Sequence, residues 1–249
     1  MQSELFAGNT ESLTAIGNTL NQIKTEESAA RLIRLIKGVI QPFGLESFVF
    51  VSMIRGDVSR ESYRYLIGCD PQWCQVYGAR NWHMNDPFMQ HAVSESTMVL
   101  GSAITAGTTA QREMLATAAR YGFKSGMVVP AHGAAGARIG VLYLGSPEPP
   151  ELIEGPLWEY RLVMRQLAFE LYEWWAVKLQ AFAVSRQRLD STDVQLLRYK
   201  REGYTTAQIC NLSGFKTRMV DSRLLRIYDK LGVTGIKAAL AKAARSGIV

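Results

Sequence analysis

The chain has 249 residues, enough for one large domain or two ordinary ones. Apolar residues make up 47% of it, which supports a packed core and argues against disorder. No apolar run reaches the ~18 residues that a membrane span needs; the longest candidate is interrupted by Arg165, Glu170 and Glu173. The opening residues, MQSELFAGNTES, lack a basic start followed by an apolar block, so no secretion signal is expected. Three cysteines (Cys69, Cys74, Cys210) cannot all pair within one chain and show no CxxC spacing. A disulfide or metal scaffold is therefore a poor reading, and a reducing cytoplasm fits.

The net charge of +6 is unevenly spread. Residues 181–249 hold 13 basic and 5 acidic side chains, whereas the preceding 180 residues hold 15 and 17. That asymmetry points to a C-terminal module built for a polyanion, nucleic acid first. A solvated helix surface on a basic domain is the plainer alternative.

In chain order, Leu13, Ile16, Leu20 and Ile23, then Leu32, Leu35, Ile36 and Val39, recur at helical spacing. Thr25, Glu26 and Glu27 are candidates to start the second of these helices, and Pro42 and Gly44 to stop it. FVFVSMI (48–54) and SYRYLIG (62–68) read as neighbouring strands. DPQWCQVYGARN (70–81) opens with Asp and Pro at the cap and first-turn positions of a short helix. FMQHAVSES continues as another helix, and QREMLATAARYG (111–122) is a third, ended by Gly122. SGMVVPAHG and RIGVLYLGS read as strands joined by the hairpin loop HGAAGA. PEPPELIEGP reads as a loop, and residues 157–182 as one long helix. Strands in the middle with helices around them predict an α/β/α sandwich, with the strand order left open. AVSRQRLDS is polar and basic and reads as a linker. The organisation expected is a sensor over 1–182, a linker over 183–190 and an all-α helix-turn-helix domain over 191–249.

In that last region STDVQLLRYKREG opens with Ser191 as the expected cap, and TTAQICNL follows with Thr205 or Thr206 as its cap. After the turn SGF comes KTRMVDSRLLRIYDKLG, with Phe215, Met219 or Val220, Leu224, Ile227 and Leu231 on one face. A glycine-bearing turn between two helices is the helix-turn-helix arrangement, whose second helix enters the major groove. The polar face offers Lys216, Thr217, Arg218, Asp221, Ser222, Arg223 and Arg226. Basic side chains neutralise phosphates, and an Asp accepts from a cytosine amino group.

The string G-x-T-x-A-x-I-x-x-L from Gly203, Val220, and I-Y-x-K-L-G-V at 227–233 resemble the LuxR-type helix-turn-helix over about 60 residues. The resemblance makes residues 215–229 the recognition helix and adds Thr205 to the DNA-facing set. Asp193 stands where that family usually has Glu, Asp221 where it usually has Lys, and Arg223 where it usually has His. Further upstream, Trp73, Tyr77, Asp86 and Pro87 carry the spacing of the acyl-homoserine-lactone binding domain of quorum-sensing regulators. By that resemblance Trp73 donates its indole N–H to a lactone carbonyl, Asp86 accepts from the ligand amide, and Tyr77 packs along the acyl chain. Read from the residues alone, Trp73 and Tyr77 equally suit a core, and Asp86 a helix cap before Pro87. Cys69 replaces a frequent Tyr, Gly101 replaces a second Trp with Trp82 nearby in sequence, and Tyr143 replaces a small Ser or Thr that faces the ligand. These substitutions predict a pocket of altered shape.

The resemblance implies a cytoplasmic, non-enzymatic transcription regulator with no cofactor or metal, controlled by an acyl-homoserine-lactone-like signal. Its expected partners are double-stranded promoter DNA and a second copy of itself; it has no membrane partner. The alternative is a ligand-independent member, an orphan regulator or an antiactivator working through a heterodimer with a related regulator. His83, His91 and His132 are too scattered for a catalytic triad, and no G-x-S-x-G elbow is present.

Overall fold

The computed structural model describes residues 10–57, 62–132 and 138–249. Residues 133–137 of the expected hairpin loop and the side chain of Leu13 lie outside the described residues. The chain divides into two compact units, Met1–Trp174 and Trp175–Val249.

The first unit opens with helices α1 (Thr10–Ile23) and α2 (Ala29–Ile40). The cap of α2 is Ser28, which accepts from the Arg31 N–H, and Glu26 accepts from the Ser28 N–H just outside it. Thr25 and Glu27, expected near the start, precede that cap. Leu32, Ile36, Val39 and Ile40 form the buried stripe of α2. A single 3₁₀ turn, Gln41–Phe43, then carries Pro42 into Gly44, whose φ of 71° ends the helical path.

Five strands follow: β1 (Ser47–Ile54), β2 (Arg64–Ile67), β3 (Val99–Leu100), β4 (Ser125–Ala131) and β5 (Arg138–Ser146). They form one sheet in the order β2-β1-β5-β4-β3, every pair antiparallel. The two-residue β3 is too short to leave an alternation in the sequence. Register sets the faces, because residues directly paired point the same way. Val49 pairs with Ile67 and Tyr143, and Tyr143 with Val128. On this face Met53, Ile139, Val141 and Val128 pack against Ala92, Phe88 and Met89 of α4 (Pro87–Ser94). The other face carries Phe48, Phe50, Leu142 and Leu144. There Phe50 and Tyr172 both stand 3.0 Å from where a Cβ on Gly140 would be. Helices thus lie on both faces, the expected sandwich.

Gly126 shows why β4 takes no side chain at that point. Its φ is 146°, and a Cβ would lie 2.0 Å from the Leu144 carbonyl oxygen. Only glycine allows β4 and β5 to approach there.

The stretch PEPPELIEGP is not a loop. Pro150 opens helix α6 (Pro150–Glu159), with Glu151 in its first turn. Burial of Ile153, Glu154 and Leu157 holds it helical despite Pro156, a case of tertiary packing overriding local propensity. The long helix expected over 157–182 is consequently split near Tyr160, and α7 runs from Arg161 to Arg186. Trp174 anchors α7 by donating its indole N–H to the Glu26 carbonyl at 2.5 Å.

The second unit holds α8 (Ser191–Arg201), α9 (Thr206–Ser213), α10 (Thr217–Leu231) and α11 (Ile236–Arg245). The α8 cap is Asp190, not Ser191: Asp190 accepts from the Asp193 N–H while the Asp193 carboxylate accepts from the Asp190 N–H. This reciprocal box needs an acceptor three residues on, which Asp193 supplies to Asp190. Thr205 and Gln208 form the same arrangement for α9. Gly214, at φ 73°, turns the chain from α9 toward α10. Leu197, Ile209, Val220, Ile227, Ala239 and Ala243 are fully buried in a shared core, and Ala183 and Val184 pack against it. Val220 takes the core position and Met219 is left exposed.

Candidate functional site

In the first unit a cavity of about 360 Å³ lies against the Val49–Tyr143–Val128 face of the sheet. That volume suits a small organic molecule. Its lining is mostly apolar, with Val51, Ile67, Phe88, Met89, Met114 and Phe123 among the contributors. Four expected residues, Trp73, Tyr77, Asp86 and Tyr143, line it.

Local sequence places them. Asp70 accepts from the Gln72 N–H and Pro71 starts α3 (Pro71–Ala79), so Trp73 and Tyr77 fall on one face, rings 5.5 Å apart. Trp73 is buried among Trp82, Tyr121 and Phe123, at centroid distances of 5.8, 6.0 and 6.0 Å. Asp86 caps α4 through Oδ1, which accepts from the Phe88 N–H at 2.8 Å and the Met89 N–H at 3.2 Å. Its Oδ2 accepts the Tyr77 hydroxyl at 2.7 Å. Asp86 is thus a helix cap and a cavity wall at once. Burial raises its pKa, and the Tyr77 hydroxyl, the Met89 and Phe88 N–H groups and the Tyr143 hydroxyl pull it back down.

Tyr143 is one of the polar residues on the sheet side, where Tyr65 and Ser125 also line the cavity. Burial, and then the charge of Asp86, push its pKa well up. Its hydroxyl is buried on the Asp86 side and acts, with Tyr77, to hold the Asp86 carboxylate charged.

Cys69 and Trp82 do not line this cavity. Both pack in the aromatic cluster around Trp73, and the Cys69 thiol donates to the Asp70 carbonyl at 3.6 Å. Cys74, which carried no signal of its own in the sequence, lines the cavity, as do Gly101 and Ser102. The loop around Gly101 is held by the buried Glu154 carboxylate, which accepts from the Ser102 N–H, the Ser102 hydroxyl and the Gly126 N–H. The interrupted, proline-flanked sequence around Glu154 gave no sign of that role.

In the second unit Lys216, Thr217, Arg218, Asp221, Ser222 and Arg226 are exposed around the start and middle of α10, as is Thr205 at the cap of α9. Arg223 is placed differently. Its guanidinium pairs with Asp190 at 2.8 Å and with Asp193 at 3.0 Å, and Lys230 reaches Asp193 at 2.6 Å. Asp190 is held below its usual pKa chiefly by the hydrogen bond from Arg223. Leu225 is exposed on the same side of α10 as Ser222, one turn away.

Among the described residues no group of three or more His, Cys, Asp or Glu is disposed to hold a metal ion. Among them, too, no helix is long and apolar enough to cross a membrane.

An apolar cavity with a few polar readers in one unit and a basic helix-turn-helix in the other describe a signal-responsive transcription regulator. A family model for the autoinducer-binding domain matches residues 28–172, more than half of the chain, and the chain belongs to that family as a LuxR-type quorum-sensing regulator. The transcriptional activator proteins AhyR of Aeromonas hydrophila and AsaR of Aeromonas salmonicida are each 23% identical to it over 227 residues, 88% of this chain and 86% of theirs. Among solved structures, Escherichia coli SdiA superposes with a TM-score of 0.62 at 15% identity, covering 95% of this chain and 98% of that one. The N-acylhomoserine lactone dependent LuxR family factor CepR2 of Burkholderia cenocepacia gives 0.54 at 17% identity, covering 66% and 94%. A second SdiA structure, in complex with octanoyl-rac-glycerol, gives 0.58 at 15% identity, covering 96% of each chain. These likenesses establish the fold.

Proposed function

We propose that the cavity binds an N-acyl-homoserine-lactone-like amphiphile and that the chain then reads promoter DNA as a dimer through α10. The observation that carries this reading is the pairing of Trp73 and Asp86 in one apolar wall. An indole donor and a carboxylate acceptor in one cavity wall match a ligand carrying a carbonyl and an N–H. Each polar group of such a ligand left unpaired in the cavity would cost ~1–3 kcal/mol. CepR2 is named as N-acylhomoserine lactone dependent, and SdiA holds an octanoyl ester; both support an acyl chain in the cavity.

The signal-binding half is assigned to residues 1–182 and the DNA-binding half to 191–249, joined by 183–190, of which 183–186 continue α7 and Ala183 and Val184 pack on the second unit's core. The DNA-facing set is Thr205, Lys216, Thr217, Arg218, Asp221, Ser222 and Arg226, with Arg223 serving to fix α10 on α8. The protein is a cytoplasmic, non-enzymatic regulator. A ligand that binds only the folded, dimeric state shifts the population toward it. The ligand-independent or antiactivator reading is not favoured, because the relatives are transcriptional activators.

The test is thermal melting of the purified full chain with lactones of graded acyl length, with mass spectrometry of any molecule that copurifies. A raised melting temperature with one chain length is expected. Melting unmoved by every lactone would remove the lactone assignment and leave the DNA role standing.

A further inference from the structure

Two of the three cysteines meet at the start of α3. Asp70 is the cap of that helix and Pro71 its first residue, so Cys69 stands just before the cap and Cys74 at the fourth helical position. Side chains at those two places fold onto one another across the first turn, the geometry of a hydrophobic staple. The packing agrees. Cys69 and Cys74 lie against the same cluster of Trp73, Trp82, Met114 and Ala118. The Cys69 Sγ is 3.6 Å from the Asp70 carbonyl, which also accepts the Trp73 N–H at 3.1 Å, so it sits over the turn from which Cys74 rises. Just ahead, the Gly68 N–H donates to the Phe48 carbonyl at 2.9 Å and ties this end of the chain to β1.

Cys74 also lines the cavity, and both thiols are half-buried rather than sealed. The hydrogen bond between them raises the Cys69 pKa and lowers that of Cys74. The thiolate is the attacking species, which makes Cys74 the nucleophile and Cys69 the resolving partner. In a reducing compartment a bridge of this kind is transient and acts as a sensor, not a scaffold.

We propose that Cys69 and Cys74 form a redox-modification site: a peroxide joins them in a disulfide that reshapes the cavity wall beside Trp73 and weakens ligand binding. The Cys74 thiolate attacks one oxygen of hydrogen peroxide, the O–O bond breaks and hydroxide leaves, giving a sulfenic acid. The Cys69 sulfur then attacks the Cys74 sulfur, the S–O bond breaks, and that oxygen leaves as water with the Cys69 proton. The hydroxide takes up the proton that Cys74 had released. Two thiols have lost two electrons, the peroxide has gained them, and two waters result. Bonded sulfurs lie closer than touching ones, so the bridge draws the Cys74 sulfur off the cavity wall and clamps the turn that carries Trp73.

The experiment treats the folded full chain with hydrogen peroxide, alkylates the remaining thiols and reads the tryptic peptide 65–80, which holds both cysteines, by mass spectrometry. That peptide should be unalkylated and two hydrogens lighter, and dithiothreitol should restore it, while Cys210 stays open to alkylation. Because folding presets the pair, the bridge should form about tenfold faster than in the urea-unfolded chain. Equal rates, or oxidation of Cys74 with no bridge, overturn the pairing. Calorimetric titration with N-octanoyl-homoserine lactone should then show binding at least about threefold weaker in the bridged than in the reduced chain. Cys74→Ser, whatever its own affinity, should not respond to peroxide. Equal affinity in the bridged and reduced chains overturns the effect on binding. A reduced chain that binds no lactone counts against the lactone reading alone; 1-anilinonaphthalene-8-sulfonate, which fluoresces in apolar surroundings, then probes the cavity in its place, and an undiminished signal in the bridged chain overturns this proposal.

Discussion

Tyr77 and Asp86, nine residues apart, are joined by a 2.7 Å hydrogen bond in which the phenol donates and the carboxylate accepts. The same carboxylate caps α4. One buried acidic group therefore links the helix carrying Trp73 to the next helix and also faces the cavity. Sequence spacing brings Trp73 and Tyr77 onto one helix face, and this bond together with the α4 cap holds Asp86 beside them.

Asp86→Asn tests that double role. Asn is as good a cap as Asp, so the fold should survive, while the carboxylate acceptor is lost. The expected result is a near-normal melting temperature without ligand and little further rise on adding a lactone that stabilises wild type. The pH dependence has a defined sign. Burial raises the Asp86 pKa, so its contribution to apo stability is fully present below the unfolded carboxyl value of about 3.9 and is lost as pH rises through the folded value. Melting curves across that range should show this component in wild type and not in the Asn variant.

Trp73→Phe separates packing from hydrogen bonding. A phenyl ring can still pack near Trp82, Tyr121 and Phe123, but it offers no N–H. Lactone affinity should fall by about tenfold, while apo stability drops by only about 1–2 kcal/mol. Titration calorimetry and urea unfolding measure the two effects. Equal affinity in the variant would mean that the indole N–H does not touch the ligand.

Arg223→Ala should act on stability. The variant leaves Asp193, nearly fully buried, with Lys230 as its remaining cation. Chemical unfolding of the full chain should show a loss of about 1–3 kcal/mol, short of the full cost of stranding a buried charge. Asp190 is half exposed, so its share is screened and small. Its pKa is lowered by Arg223, so what it contributes is present above the unfolded carboxyl pKa and is lost as pH falls through the folded value. The variant should lack that acid-sensitive part.

Arg218→Ala with Arg226→Ala removes two exposed cations of α10 that make none of the ion pairs found there. Folding should be unaffected. DNA affinity should fall for every duplex tested, and the slope of log affinity against log salt should become shallower by about two. Fluorescence anisotropy at several salt concentrations measures both. An unchanged slope would show that these side chains do not neutralise phosphates.

Much of this protein can be read from its sequence because the signals are local. Helical spacing marks α2, α5 (Thr109–Arg120) and α10, the Asp-Pro steps mark the starts of α3 and α4, and the C-terminal bias of Lys and Arg marks the nucleic-acid module. Each depends on residues within a few positions of one another, or on simple counting. The tertiary structure alone decided the strand order, the helical state of PEPPELIEGP, and the exclusion of Cys69 and Trp82 from the cavity that Tyr143 lines. It also decided that Arg223 turns toward Asp190 and Asp193, 33 and 30 residues away. The reason is physical: which side of a sheet a ring faces, or which charge a guanidinium finds, depends on groups far along the chain, and no local pattern encodes the burial that brings them together.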